Sequence, residues 1–206
     1  MSREQRSQRV QSPRAKRLTM QALIHLAGDL SAVYRDSLIK EKKAAGYTVF
    51  YLPLMSSYRS PWPLPEQSER NLSSLLLGLE SGAQFGEDEL AALIVCNPEG
   101  TYLPVGPSQV DDLRQLSDEA LRHLLRVWRR LLLSFPPPVF CLIDCDGLAW
   151  RQLAIVASLC DVLALDPPAK MSAVTLFALQ DLLGNLPPRL PILSLRERPA
   201  NHIRSS

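Results

Sequence analysis

Residues 136–165 read PPPVFCLIDCDGLAWRQLAIVASLCDVLAL, and this stretch decides the fold. The apolar run at 139–143 is short and rich in β-forming residues, and it stops at the Asp-Cys-Asp-Gly sequence of 144–147. A strand buried on both faces of a parallel sheet has this composition, and a site is expected at the loop where it ends. A helical stretch at 148–159 and a second apolar run at 162–165 follow within one crossover length. The segment therefore predicts a β-α-β unit of an open α/β sheet.

The overall composition predicts a globular domain. The chain has 206 residues, of which 46% are hydrophobic and 21% charged, and this fits one domain with a packed core. A net charge of +2 is too small to indicate a polyanionic partner for the body of the protein. Positive charge is concentrated in residues 1–17, which we expect to form a disordered tail, although such a tail also suits contact with phosphate or an acidic membrane.

The cysteines and the hydropathy pattern indicate a reducing, cytoplasmic location. All four cysteines lie in or beside apolar runs, where a free cysteine behaves as a small hydrophobic residue. No secretory signal opens the chain, and no apolar stretch approaches the roughly 20 residues that cross a bilayer. We therefore expect a cytoplasmic protein without a metal site, which reaches the inner membrane only when a partner recruits it.

Several segments resemble the MinD/ParA superfamily of P-loop ATPases. The sequence from 142 to 183 is similar to the family's Walker B region, with an apolar strand, an aspartate, a turn, a helix and a second apolar strand. GYTVFYL at 46–52 resembles the family's second strand. The segments at 71–82 and 97–131 are similar to two further segments of the family's sequence pattern. The resemblance extends over most of the chain as a match of pattern and order.

This resemblance implies the fold and the domain limits. We expect a single doubly wound, mostly parallel α/β sheet with helices on both faces, formed by residues 18–198 and truncated at the C-terminus relative to MinD-like proteins. Residues 1–17 and 199–206 are expected to be tails. The C-terminal end is polar and basic, so it does not match the membrane-binding amphipathic helix with which MinD-like proteins often end.

Two interpretations of residues 18–45 remain open. Apolar residues recur there at three- and four-residue spacing, which favours one amphipathic helix, but Gly28 and Asp29 interrupt the pattern. Under the family resemblance, residues 21–27 instead form the central first strand, and a phosphate-binding loop and a helix ended by Gly46 follow it.

The phosphate-binding motif of the family, K-G-G-x-G-K-[ST], has no counterpart before Gly46. A P-loop needs glycines so that backbone N–H groups can surround the phosphates, a lysine that reaches the β- and γ-phosphates, and a hydroxyl for Mg²⁺. The candidate loop at 28–31 has one glycine, Gly28, and it ends at Ser31. Asp29 stands near the position of the missing cation, where a carboxylate would repel a triphosphate. We therefore expect neither catalysis nor a nucleotide cofactor.

Other positions of the family's nucleotide site are also altered. The second strand runs into Pro53 without the carboxylate that relatives use there, and Ser194 stands where many relatives have a base-recognising asparagine. Asp144 occupies the Walker B position, with Asp146 on the same side if the strand continues. These aspartates either retain a water-mediated Mg²⁺ site, or Asp144 caps the following helix or bonds the shortened loop. The residual nucleotide-site positions are thus Gly28, Asp29, Ser31, Asp144, Asp146 and Ser194.

Two surface segments are candidates for contact with other molecules. Three prolines surround Trp62 and predict an extended loop, in which Tyr58 and Trp62 anchor a partner, unless Trp62 folds back onto the core. Ser117 is predicted to start a helix at 117–134 with a buried leucine stripe. Four arginines on this helix are either a solvated surface or a DNA contact of the kind that partition-type relatives make.

Together these features predict a non-catalytic, MinD/ParA-like regulatory or scaffold protein. The resemblance implies a protein partner, either an active ATPase relative or a component of a bacterial surface machine such as cellulose or exopolysaccharide secretion or flagellum placement. One alternative is an active ATPase with an atypical loop, to which a partner lends the missing lysine. A second alternative is a DNA-binding partition accessory protein. We expect a monomer or a heteromer, because the family's face-to-face dimers usually enclose ATP.

Overall fold

The computed structural model describes residues 18–26, 29–55, 71–105 and 112–196, and within them one sheet of seven strands organises the chain. The strand order is β3-β4-β2-β5-β1-β6-β7, and all neighbouring pairs are parallel except β3 with β4. This confirms the predicted mostly parallel α/β sheet. The strands are β1 (Leu18–His25), β2 (Thr48–Pro53), β3 (Ile94–Cys96), β4 (Tyr102–Pro104), β5 (Val139–Asp144), β6 (Val162–Asp166) and β7 (Ile192–Ser194).

Helices cover both faces of this sheet, as predicted. On one face a small hydrophobic cluster joins the sheet to α1, which contributes Tyr34, Leu38 and Ile39. On the other face a larger cluster includes side chains from each of the remaining helices of the described residues. The helices are α1 (Ser31–Ala44), α2 (Leu72–Glu80), α3 (Glu87–Ala91), α4 (Asp112–Gln115), α5 (Asp118–Ser134), α6 (Trp150–Ser158) and α7 (Ala173–Gly184).

The N-terminal ambiguity is resolved in favour of the strand. β1 lies at the centre of the sheet between β5 and β6, and the alternative of one long helix is wrong. Ala22 packs in the larger cluster and Leu23 in the smaller one, so both faces of β1 are buried. A strand buried on both faces has a continuous apolar run instead of an alternating one, and this is why its leucines also fit a helical spacing. Gly46 follows α1 with a φ of 83°, the left-handed conformation expected after a helix.

The stretch that predicted the fold forms β5, α6 and β6 with boundaries close to those expected. Ser117 also caps α5 as predicted, because its hydroxyl accepts a hydrogen bond from the Ala120 amide at 3.2 Å. The antiparallel pair of β3 with β4 was not predicted. None of the helices in the described part of the chain is long and apolar enough to cross a bilayer.

Candidate functional site

The candidate site lies where β1, β2, β5 and β6 end at one edge of the sheet, beside the start of α1. Parallel strands end at the same edge, so residues far apart in sequence meet there. Only five residues, 26–30, connect β1 to α1. No lysine occurs between Arg17 and Lys40, so neither this connection nor the start of α1 supplies a lysine.

Asp166, the last residue of β6, binds the N-terminus of α1. Its Oδ2 atom accepts hydrogen bonds from the backbone amides of Leu30 at 2.9 Å and Ser31 at 2.7 Å, and from the Ser31 hydroxyl at 2.5 Å. The first amides of a helix have no partner within the helix and carry partial positive charge, so they attract an anion. Asp166 is fully buried. The chain's own carboxylate therefore occupies the place at which such a helix binds phosphate.

Asp144, the last residue of β5, is surrounded by side chains from three other elements. Its Oδ1 atom lies 2.6 Å from His25 Nε2, and its Oδ2 atom accepts a hydrogen bond from the Tyr51 hydroxyl at 2.8 Å. The Arg35 guanidinium lies 3.9 Å from the same Oδ2 atom. Asp144 is completely buried, so these groups replace water around its carboxylate. Both of its oxygens are engaged within the protein.

The charges of this edge change the titration of its neighbours. Burial by itself would lower the pKa of His25, because it disfavours the imidazolium. The hydrogen bond and charge of Asp144, together with the charges of Asp146 and Asp166, outweigh burial and raise that pKa. Burial, and then the charge of Asp144, also raises the pKa of Tyr51, so its hydroxyl stays protonated and donates to Asp144. Because its ordinary pKa is already near neutral, His25 is the group of this cluster whose protonation responds to pH in that range.

The turn after β5 is fixed tightly to the end of β2. The Gly147 amide donates to the Leu54 carbonyl at 2.9 Å, and the Leu54 amide donates to the Asp144 carbonyl at 2.8 Å. A Cβ atom at Gly147 would lie 2.9 Å from the Met55 Cα atom, closer than a Cβ atom normally approaches. Only glycine therefore fits this turn without a backbone shift. The close contact joins the two loops that follow the Asp144 and Tyr51 strands.

Several predicted positions have different roles from those expected. Asp144 does not cap the following helix, because α6 begins at Trp150 and Ala149 is its N-cap residue. Asp146 was expected on the same side as Asp144 only if β5 continued to it, and the strand ends at Asp144 with Asp146 in the turn. The backbone has already turned towards β2 at this point, as the Leu54 hydrogen bonds show.

Of the remaining predicted positions, three lie in the described part of the chain and three lie outside it. Ser31 is buried at the start of α1 and binds Asp166, whereas Asp29 is exposed and lies 3.1 Å from the Arg196 guanidinium. Ser194 ends β7 and pairs with Leu165, next to Asp166. The structure thus brings Ser31 and Ser194 to the same edge as Asp144. Three positions fall outside the described residues, namely Gly28, Tyr58 and Trp62.

Four important residues of this edge escape sequence-based prediction: His25, Arg35, Tyr51 and Asp166. A signal existed for Asp166, because it follows the apolar run at 162–165 and so ends a strand, as Asp144 does. No comparable signal marks Arg35, whose side chain reaches the site from within α1 and is 9% exposed. Its role depends on how α1 packs against the sheet.

A central parallel strand followed by a short connection to a helix, with an aspartate at the end of the neighbouring strand, is typical of doubly wound α/β folds. Solved structures with this fold identify the subclass. The chain is similar to cobyrinic acid a,c-diamide synthase from Mycobacterium smegmatis with a bound ATP analog and magnesium, with a TM-score of 0.61, 16% identity and coverage of 91% of this chain and 79% of that one.

Two further structures have the same subclass of fold. A ParA family ATPase from Chlorobium tepidum matches with a TM-score of 0.56 and 12% identity, over 85% of this chain and 72% of that one. McdA from Cyanothece in a complex with ATP matches with a TM-score of 0.56 and 14% identity, over 85% of this chain and 68% of that one. Neither a protein-family model nor a curated protein matches the sequence. The chain therefore has the fold of the MinD/ParA-type ATPases, which confirms the resemblance at the level of fold.

Proposed function

We propose that this chain is a non-catalytic member of the MinD/ParA-type fold, a pseudo-ATPase that acts through contacts with other proteins. The observation that carries this proposal is the position of Asp166 at the N-terminus of α1. A phosphate that entered this place would have to displace a carboxylate held by three hydrogen bonds. It would also meet the negative charge of that carboxylate, and two like charges about 4 Å apart repel by about 4 kcal/mol at an effective dielectric constant of ~20.

The rest of the edge supports the same proposal. The residues do not fit a triphosphate with its metal, because the connection from β1 to α1 is five residues long and lacks a lysine. Asp144, at the Walker B position, already binds His25 and Tyr51 through its two oxygens. The internal contacts thus replace those that a nucleotide would make.

The partner in this proposal is a protein. Because a MinD/ParA-type fold without nucleotide chemistry retains only its surfaces, we propose that it regulates or supports an active ATPase relative or a component of a bacterial surface machine, such as cellulose or exopolysaccharide secretion or flagellum placement. Tyr58 and Trp62 are the proposed anchors, since aromatic side chains supply much of the binding energy of interfaces. A cytoplasmic protein of this kind reaches the inner membrane through that partner.

Calorimetric titration with ATP and Mg²⁺ tests the central claim. We expect no binding by the wild-type chain at nucleotide concentrations up to about 1 mM. Micromolar binding that Asp144→Ala abolishes would overturn the proposal and would favour the active ATPase.

The role of Asp166 has a matched test with pyrophosphate as the probe. Asp166→Asn removes one negative charge from the α1 N-terminus, and Asp29→Asn removes one from an exposed site in the same connection. We expect Asp166→Asn to increase pyrophosphate affinity about tenfold more than Asp29→Asn does. Equal effects would show that Asp166 does not exclude anions from this place.

Affinity purification from the native bacterium tests the partner. A tagged wild-type chain should enrich an ATPase or subunits of a surface machine, identified by mass spectrometry. The double variant Tyr58→Ala/Trp62→Ala should retain the fold and lose most of this enrichment. Unchanged enrichment would exclude these two residues as anchors, and enrichment of nucleic acid alone would favour the partition alternative.

A further inference from the structure

Helix α7 is rich in large apolar residues, although most of its residues are exposed. Its polar side chains are Thr175, Gln180 and Asp181. Its inner residues Leu179 and Leu182 pack in the larger hydrophobic cluster. On the outer side, Val174 is 79% exposed and Phe177 is 74% exposed. Large apolar side chains that are exposed together often mark an interaction surface. The outer side of α7 therefore has the composition of an interface.

Other exposed apolar residues extend this surface to the edge of the sheet. Ile192, in the last strand β7, pairs with Leu163, which packs in the larger cluster on the α7 side of the sheet. Paired residues of neighbouring strands point to the same side, so Ile192 lies on the side of α7. The α7 face, as we define it, consists of Met171, Val174, Leu176, Phe177, Leu183 and Ile192, all of them large and exposed.

The area of the α7 face matches that of one half of a dimer interface. At the observed exposures these six residues present roughly 600 Å² of mainly apolar surface, the upper limit for the largest patch on a typical monomer. A standard interface buries about 800 Å² on each partner, and in homodimers about 65% of this area is apolar, or about 500 Å². The α7 face alone supplies that apolar area.

The charge distribution fits contact between two identical surfaces. Helix α7 contains one charged residue, Asp181, and no lysine, arginine or glutamate. Asp181 is exposed, lies four residues after Phe177 and lines a groove that also includes Arg122 and Arg151. In a symmetric dimer each patch meets its own copy, so a nearly uncharged patch avoids the repulsion that a charged one would produce. A nucleic acid or an acidic peptide would find no cations on α7 to pair with.

We propose that the α7 face binds a second copy of this chain and forms a symmetric dimer that requires no nucleotide. This proposal goes beyond the proposed function and differs from the monomer or heteromer expected from sequence. The family's dimers enclose ATP between their nucleotide sites, whereas the α7 face consists of apolar residues outside the edge that holds Asp144 and Asp166. The contact is independent of Asp144 and Asp166.

Sedimentation velocity of the full chain from about 1 to 100 µM tests the dimer by mass action. The wild type should approach twice its 23.0 kDa mass at the high end, without ATP. Phe177→Asp and Val174→Asp should each raise the dissociation constant of the dimer at least about tenfold, because a charge replaces an apolar contact. The matched control is Val33→Asp, which alters a side chain that is 49% exposed on α1, on the opposite face of the sheet.

Hydrogen exchange provides a second measurement that requires no variant. The amides of 173–184 should exchange more slowly at about 100 µM than at about 1 µM wild type, whereas those of α1 should not change. A wild type that stays monomeric at about 100 µM overturns the proposal. So does a dimer that Phe177→Asp leaves intact, one that Val33→Asp weakens equally, or one that forms only with ATP and Mg²⁺.

Discussion

Two aspartates end the strands on either side of β1, and their surroundings differ in kind. Asp144 is held by side chains from three elements, namely His25, Tyr51 and Arg35. Asp166 is held by two backbone amides and one hydroxyl at the start of a helix. A carboxylate bound by ionisable side chains belongs to a cluster whose stability depends on pH. The loss of any one of these side chains weakens that cluster. A carboxylate bound by backbone amides substitutes for an external anion, and its partners do not titrate.

Asp144→Asn should cause the largest loss of stability. Removal of this charge takes one of two countercharges from the buried Arg35 guanidinium, with Asp36 remaining at 2.9 Å, and weakens the hydrogen bonds of His25 and Tyr51. Damage to a buried charge cluster of this kind reduces the free energy of unfolding by about 3–5 kcal/mol. Urea unfolding measures the change. The control Asp29→Asn neutralises an exposed carboxylate and should change the same quantity by less than about 0.5 kcal/mol. Similar losses in both variants would contradict the account of the cluster.

Asp166→Ala should reduce the free energy of unfolding by about 2 kcal/mol. The amides of Leu30 and Ser31 lose their acceptor and the helix N-terminus loses a favourable negative charge. Urea unfolding at one fixed pH measures this loss, because the charge of Asp166 also raises the pKa of His25 and a comparison across pH would include that second effect. If Asp166→Ala lost more unfolding free energy than Asp144→Asn, the predicted ranking of the two carboxylates would be wrong.

Tyr51→Phe should reduce the free energy of unfolding by about 1–2 kcal/mol. The variant keeps the packed ring and removes one hydrogen bond to a buried carboxylate. Thermal or urea unfolding checks this value. Tyr47→Phe, at a partly exposed tyrosine before β2, is the matched control and should have little effect. An unchanged stability in Tyr51→Phe would mean that its hydroxyl contributes no net energy to the Asp144 cluster.

The smallest effect is a dependence on pH that arises from His25. Its pKa is raised in the folded state, so between about pH 6.5 and that raised pKa the folded chain binds more protons than the unfolded chain. Stability therefore falls as the pH rises through this window, by at most about 1.4 kcal/mol per pH unit. His25→Gln should remove this slope in urea titrations over the same window. A slope that persists in His25→Gln would have another origin.

The predictable parts of the fold share one property, which is a buried run long enough to show in the sequence. β5, α6 and β6 were predicted with small boundary shifts because both strands are apolar up to their final aspartate and the helix is bounded by turns. β3 and β4 were not predicted, since strands of three residues carry no detectable alternation. β1 remained ambiguous because burial on both faces removes the two-residue period.

A residue of the candidate site could be predicted only where it stands at the end of a strand that the sequence itself reveals. Asp144 stands at the end of an obvious strand and was identified, whereas its partners at positions 25, 35 and 51 join it through tertiary packing. The loss of the phosphate motif was visible in the sequence as missing glycines and lysine. The sequence does not show that Asp166 takes the place of an external anion. That contact depends on two segments 135 residues apart lying side by side in the fold.

The absence of space at Gly147 has a consequence for genetics. The added Cβ atom would meet backbone atoms of Met55 and Leu54, and backbone cannot rotate away as a side chain can. A saturation library at this codon should therefore lose nearly every substitution at the level of cellular abundance, before any activity is selected. Such a screen would report on the fold of this chain even while its partner is being sought.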